Sequence, residues 1–519
     1  MNIINQFFNS EYGHAILIAL PELALLCLAT GLLVLDSFLP RVEMGASLNK
    51  SLNKSVKNYK ITFWLANIVL LIILLLVVYQ HDLLVNAGYN FSSESSISSI
   101  ASSLINNMIV NDRLSFILKI FMILSVLISF YYSDNFLKNK RIFSGEFYAM
   151  GLFALLGMMV LVSATNMVTL YLGLELLSLP GYAMVALQRD STIAGEAALK
   201  YFVMGAIASG ILLFGISLIY GMTGSLVLAD IANYNNTSFN AAFILGLVFI
   251  CVGIAFKFGA APFHMWTPDV YQGAPTPVAL FISAAPKLAT FGMAIRLLHE
   301  GFGSLNSQWG YVLYLIAMLS IIWGSFGALA QVNLKRLLAY SSISHMGFIL
   351  LGLATSAYSP ALFYMIIYAL MSLAAFGFIL TYGNNSNDEH ELSNLEDYRG
   401  LYYKQPWLAF MLLIVLFSMA GVPPFVGFFA KMVIIQSIIK TGYYYTAVSV
   451  VLLSVVGAYY YLKLIWLMFF ENPQKNSNNL NIITIDLDQK VLVSINCLLI
   501  FALGIYSQWL YTWCLQSFS

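Results

Sequence analysis

Apolar runs near twenty residues long recur from one end of this chain to the other, and they constrain its fold more than any motif does. A bilayer core about 30 Å thick is crossed by a helix of about 20 residues. Inside it, every backbone N–H and C=O must find its partner within the protein. Hydropathy places spans at 14–39, 60–80, 113–133, 146–164, 166–187, 194–222 and 240–260. It places the others at 278–298, 310–331, 334–355, 360–382, 406–438, 443–470 and 490–514. The expected fold is therefore an all-α polytopic membrane protein of about fourteen transmembrane helices. An even number of crossings puts both termini on one side.

Composition agrees. Of 519 residues 60% are hydrophobic and only 9% are charged, where a soluble domain carries about a quarter. The net charge of +1 and the lack of a basic, aromatic-interleaved cluster argue against a nucleic-acid partner. Cys27, Cys251, Cys497 and Cys514 lie far apart in or beside apolar runs, without metal-ligand spacing, and read as small buried residues. The first apolar run has neither a basic flank nor a small-residue cleavage site, so it is expected to remain as a helix.

Basic residues collect in alternate loops. Arg41, Lys50, Lys54, Lys57 and Lys60 surround the first, and Lys138, Lys140 and Arg141 lie in the third. Arg189, then Lys335 and Arg336, then Arg399 and Lys404, then Lys475 and Lys490 mark the fifth, ninth, eleventh and thirteenth. The positive-inside rule puts these loops in the cytoplasm and both termini on the opposite, periplasmic side. The serine-rich segment 92–103 reads as a solvated linker, and the acidic stretch 384–399 as a solvated cytoplasmic loop.

Ionisable residues within the spans carry the functional signal. Such groups are costly in lipid, so they face protein or water. Glu175 lies about ten residues into the fifth span, Lys257 closes the seventh, Lys287 lies midway along the eighth, and Lys431 lies in the twelfth. Lys200 sits nearer the start of the sixth, where a snorkelling role competes with a functional one. Lys119, Arg296 and Lys463 are close enough to helix ends to snorkel, while Glu22 and Asp36 read as boundary or packing residues.

Two of these charges stand beside breaks. Lys257 precedes Pro262, and Lys431 follows Pro423 and Pro424. Proline frees helix carbonyls, which in a membrane are satisfied by protein or by water lining a cavity. Broken, lysine-bearing helices five spans apart suggest an inverted repeat, helices four to eight echoed by nine to thirteen. A lysine held away from water binds its proton less firmly, and one beside a carboxylate more firmly. If Glu175 approaches and leaves Lys257, the lysine can take up and release a proton. Histidine exchanges protons near neutral pH, so His264 and His345 can extend such a relay. Lys335 reads as a topology-setting charge.

LYLGLELLSLPGYAMVA, FKFGAAPFHMWTPDVYQGAPTPV, LKRLLAYSSISHMGFILLG and AGVPPFVGFFAK together resemble the antiporter-like subunits of respiratory complex I, over nearly the whole chain. The resemblance implies fourteen helices, two inverted five-helix repeats with discontinuous helices seven and twelve, and proton translocation. The corresponding division is 1–145 for three N-terminal helices, 146–298 and 310–470 for the repeats, and 471–519 for the last loop and helix. Glu175, Lys257, Lys287 and Lys431 match the family's ionisable residues on helices five, seven, eight and twelve. Helix eleven departs from its larger relatives: it carries Tyr364, Tyr368 and Ser372 but no base, so a continuous relay there needs water.

The function expected is that of a membrane subunit of a bacterial NADH-quinone oxidoreductase, in the inner (plasma) membrane. It would couple electron transfer in partner subunits to proton pumping. This chain shows no fingerprint for a cofactor or metal. NADH, FMN, iron–sulfur clusters and quinone are expected in partner subunits. Its partners would be other complex I membrane subunits, including neighbouring antiporter-like ones, and the lipid bilayer. A subunit of a cation/proton antiporter complex and a non-transporting assembly scaffold are the alternatives.

Overall fold

The computed structural model of the chain describes residues 17–38, 48–86, 108–140, 145–234, 241–383, 392–473 and 486–518. Within 48–86 only the side chains of 59–83 are described. The serine-rich segment 92–103, the acidic residues 384–391, and Arg41, Arg141 and Lys475 lie outside the described residues.

The described chain is a bundle of helices, here numbered by membrane crossing. They are α1 (Leu20–Phe38), α2 (Leu48–Asn86), α3 (Arg113–Asn139), α4 (Glu146–Ser163), α5 (Met167–Val185), α6 (Thr192–Thr223) and α7 (Ala241–Phe258). Then come α8 (Thr276–Ala294), α9 (Asn306–Leu329), α10 (Leu334–Ala354), α11 (Tyr358–Gly383), α12 (Pro406–Ala420), α13 (Tyr444–Phe469) and α14 (Leu487–Ile505). Thirteen of these are long and apolar enough to cross a membrane; the exception is α12, which is broken. The chain is a multi-pass membrane protein, and thirteen of the fourteen expected crossings are present as helices of that length.

Short polar residues start several helices by satisfying their free amides. Asp112 and Ser115 form a reciprocal capping box at α3, Asn166 accepts from Val168 at α5, and Asn333 accepts from Arg336 at α10. The expected end of α8 near residue 298 is instead a wider-wound turn, Ile295–Gly301. The last expected span divides, with a short helix Ser507–Gln516 following α14.

Burial orders the bundle. α11 is enclosed on all sides, packed against α3, α8, α10 and α14, and α8 and α10 are nearly as enclosed. α1, α13 and α14 are peripheral and expose apolar side chains, as lipid-facing or subunit-facing surfaces do. Three pairs cross at unusually close range, among them Gly215 on α6 and Gly246 on α7, each of which meets the other's carbonyl oxygen. Gly157 on α4 and Gly173 on α5 each meet the other helix's backbone, and Gly324 on α9 and Gly347 on α10 do the same. A methyl group would not fit at these crossings.

The two breaks are built alike. α7 ends at Gly259 and α12 at Gly421, both in the left-handed region (φ 69° and 84°) that glycine alone adopts without strain. Each glycine is followed three residues later by a proline, Pro262 and Pro424. The chain then resumes as Trp266–Gly273 and Val426–Lys440 respectively.

Backbone groups freed at the breaks are met by side chains. Ser320 Oγ accepts from the Ala261 amide (2.8 Å), and Trp266 Nε1 donates to the Phe256 carbonyl (3.1 Å). At α12, Ser418 Oγ accepts from the Gly427 amide (3.1 Å), and Lys431 Nζ donates to the carbonyls of Met419 and Ala420 (3.0 and 2.9 Å).

Two charges expected to snorkel do not. Lys119 is fully buried and pairs with Glu22 at 2.6 Å, joining α3 to α1. Arg296 is also buried: it pairs with Asp112 at 2.7 Å and with Glu300, and donates from Nε to the Val162 carbonyl at 2.9 Å. In each case a carboxylate on a neighbouring helix or turn lies closer than bulk water. Lys463, by contrast, is exposed.

Candidate functional site

The site begins at the C-terminal end of α7. Lys257 Nζ donates to Ser178 Oγ on α5 (2.6 Å) and lies 5.9 Å from the centre of the Tyr182 ring. Glu175 stands one turn before Ser178 on α5, half-buried. Its Oε1 is shielded from solvent and has no hydrogen-bond partner, and among the described residues it forms no ion pair. Lys257 therefore rests on the neutral oxygen one turn from the carboxylate.

Lys257 and Lys287 line one narrow cavity together with Ser178, Tyr201, Trp266 and Thr290. Its open volume of ≈ 20 Å³ is on the scale of a single water, since one needs roughly 10–15 Å³ on this measure. A water there would meet polar groups from α5, α7 and α8.

From Lys287 the row continues through hydroxyls. Its ammonium donates to Ser342 Oγ on α10 and, more weakly at 3.5 Å, to Tyr368 Oη on α11. The Tyr368 and Tyr271 rings stand 5.1 and 5.8 Å from it. Ser342 and His345 share one face of α10, a turn apart, because positions three apart align on a helix. The His345 ring lies 5.5 Å from that of Tyr368, its Nδ1 is 2.8 Å from Tyr364 Oη, and its Nε2 is 3.4 Å from Tyr461 Oη. The tyrosines of α11 thus occupy the place where a base was missing.

Beyond His345 the row meets an aromatic wall. Phe348 stacks on Tyr364 with centroids 5.7 Å apart, and Lys431 Nζ lies 5.7 Å from the centre of the Phe348 ring. Phe348 cannot carry a proton, so passage between His345 and Lys431 requires water or a side-chain movement.

The remaining candidates lie apart. Lys200 is exposed on α6 and pairs with Glu196 (2.8 Å) and Asp269 (2.9 Å). His264 is buried in the α7 break with Nδ1 unpartnered, edge-on to Trp323 at 5.7 Å. Neither touches Lys257 or Lys287. Lys335 is buried and donates to the Ala274 carbonyl at 3.2 Å.

Ser178, Ser342 and Tyr461 were not among the expected residues. Ser342 was findable, three positions before His345 on the same face. Ser178 and Tyr461 carry no local signal, because distant helices bring them to their partners. Among the described residues no three His, Cys, Asp or Glu side chains gather as a metal site would require.

Residues 164–457, more than half of the chain, match the family described as NADH:quinone oxidoreductase/Mrp antiporter, transmembrane. A subunit N of NADH-quinone oxidoreductase from Thiobacillus denitrificans is 47% identical over 444 residues, covering 85% of this chain and 90% of its own. A chain of respiratory complex I from Thermus thermophilus, solved with bound aureothin, superposes with TM-score 0.75 and 29% identity, covering 95% of this chain and 98% of that one. A chain of the Mrp complex from Dietzia sp. DQ12-45-1b shares the fold alone: TM-score 0.77, 19% identity, and coverage of 96% and 97%.

Proposed function

Because this chain belongs to the subunit N family of NADH-quinone oxidoreductases, the proton-translocating membrane subunits of respiratory complex I, we propose that protons cross it along the buried row of Lys257, Lys287, His345 and Lys431. The observation that carries this reading is the single water-sized cavity shared by Lys257 and Lys287. One water can hand a proton from the ammonium of one lysine to the neutral amine of the other, and Ser342 and Tyr368 continue the line toward His345.

Glu175 acts as the control element. With Lys257 on Ser178, the unpartnered Glu175 Oε1 is an open acceptor one turn away. Movement of the flexible lysine stem between the two alternately steadies and releases its proton. Residues 146–298 and 310–470 form two inverted five-helix repeats in this reading. Their like-built breaks and their paired glycine crossings, α4 with α5 and α9 with α10, support it.

The energy comes from electron transfer in partner subunits, which hold NADH, FMN, iron–sulfur clusters and quinone. Other complex I membrane subunits, neighbouring antiporter-like ones among them, pass it on by contact. The chain sits in the bacterial inner membrane with both termini on the periplasmic side, as its basic loops direct.

Proteoliposomes containing the purified complex test the row. Lys287→Met in an assembled complex should pump protons far more slowly than the wild type. Pumping at the wild-type rate by that variant and by Lys257→Met would remove both lysines from the path.

A further inference from the structure

The eight residues Trp266–Gly273, where the chain resumes after the α7 break, have two working faces. On the inner side Trp266 forms a wall of the Lys257–Lys287 cavity, and Tyr271 presents its ring to Lys287 at 5.8 Å. Trp266 also ties back to the turn that carries Lys257, through the Phe256 carbonyl, and stacks on Tyr201 of α6 (centroids 4.7 Å, interplanar 18°). On the outer side stands Asp269. Its Oδ2 accepts from Lys200 of α6 at 2.9 Å, and its Oδ1 from Arg336 of α10 at 2.7 Å. Arg336 also reaches Gln272 at 3.1 Å.

We propose that Asp269 is a positioning residue for proton transfer. By dividing one carboxylate between Lys200 and Arg336, it holds Trp266–Gly273 at the distance from α6 and α10 that sets the passage between Lys257 and Lys287. The proposal rests on the row of lysines described above.

An isolated exposed ion pair contributes little to stability. Here one carboxylate takes two cations from two helices, on a segment too short to hold its own place by helical hydrogen bonds. What it fixes is position. A water-sized gap tolerates little change in position: a wall displaced outward admits bulk water, and one displaced inward leaves no room for a water between the lysines. This assigns Lys200 an anchoring role in place of a proton-carrying one. Through that strut an exposed lysine on α6 would act on buried chemistry without touching it.

The test uses the whole complex in proteoliposomes, with pumping measured per intact complex. Asp269→Asn should pump several-fold more slowly, and Asp269→Glu, which keeps the charge, should recover most of the rate. Lys200→Gln combined with Asp269→Asn should be no slower than Asp269→Asn alone, because both remove the same strut. If Asp269→Asn prevents assembly, Lys200→Gln and Arg336→Gln each remove one arm only, and each should slow pumping in the complex that does assemble.

Several results overturn the proposal: wild-type pumping by Asp269→Asn, or by both single-arm variants; no recovery in Asp269→Glu; or strictly multiplicative losses in the double variant. So does a loss of yield with normal pumping per intact complex. Lys287→Met separates this inference from the one beneath it. A slow Lys287→Met beside a normal Asp269→Asn sinks the strut alone, whereas wild-type pumping by Lys287→Met sinks the row.

Discussion

Lys257 and Lys287 face the same water-sized cavity from neighbouring helices, and no carboxylate lines it. Two ammonium groups sharing a desolvated gap repel one another, so a proton arriving on one favours departure from the other. The pair is then expected to act as a unit. Lys257→Met, Lys287→Met and the double variant should slow pumping to a similar extent, on the order of ten-fold or more, as loss of a proton-transfer group does. Pumping rates of the three complexes in proteoliposomes decide it: losses that multiply would mean the lysines work independently.

Ser178 is the resting partner of Lys257 at 2.6 Å. A hydrogen bond to a charged group is worth about 1.5–3 kcal/mol, yet a serine hydroxyl does not ionise at neutral pH and so cannot hold the balancing charge that a carboxylate does. Ser178→Ala should therefore slow pumping several-fold, Ser178→Thr should stay near the wild type, and Glu175→Gln should cost more than either. A Ser178→Ala complex slower than Glu175→Gln would reverse the roles assigned to them.

Lys431 has two tasks that different substitutions separate. It donates to the Met419 and Ala420 carbonyls at the α12 break, and leaving a buried acceptor unmet costs about 1–3 kcal/mol. Lys431→Met should lower the yield of assembled complex. Lys431→Gln retains donors without the charge, so it should assemble and pump poorly. Normal pumping by the glutamine variant would reduce Lys431 to a cap.

The Glu22–Lys119 pair is buried at 2.6 Å between α1 and α3, away from the row. Removing one partner of a buried pair typically costs about 3–5 kcal/mol, while replacing both with apolar groups is often neutral. Glu22→Gln and Lys119→Met should each lower the melting temperature of the purified complex, and Glu22→Leu with Lys119→Met should restore it. Pumping per intact complex should change little throughout. A double variant as unstable as the worse single one would contradict this.

At the N-terminal end of α3, Asp112 is just beyond the span. Burial works against its charge, but Arg296 at 2.7 Å and the Ser115 hydrogen bonds hold its carboxyl below the usual carboxylate range. A depressed carboxyl stabilises the fold above its unfolded value of about 3.9 and loses that contribution as pH falls through its folded value. The Arg296 clamp should therefore be indifferent to pH from about 5 to about 8. Asp112→Asn keeps the helix cap and loses the charge. It should melt at a lower temperature at neutral pH, with the gap to the wild type closing in strong acid. A gap that widens in acid would refute the clamp.

Much of this fold is legible in one dimension because lipid imposes a local rule. A crossing helix must be apolar over about twenty residues, so each span announces itself wherever it finally packs. The breaks are legible for the same reason: Pro262, Pro423 and Pro424 interrupt runs that lipid would otherwise keep whole. Glu175, Lys257, Lys287 and Lys431 stand out because charges are rare there.

The partners of those charges are another matter. Lys119 was expected to reach for the interface, and its carboxylate lies 97 positions earlier in the chain, in another helix. Glu175 and Ser178 stand a turn apart on α5, and Lys257 lies on Ser178. Lys200 was open to a snorkelling or a functional role, and its partners are Glu196 on its own helix and Asp269 on another segment. Hydropathy depends on each residue's own transfer energy, which sequence states directly. Hydrogen-bond partners depend on which faces of distant helices meet, and that is set by packing across the whole bundle.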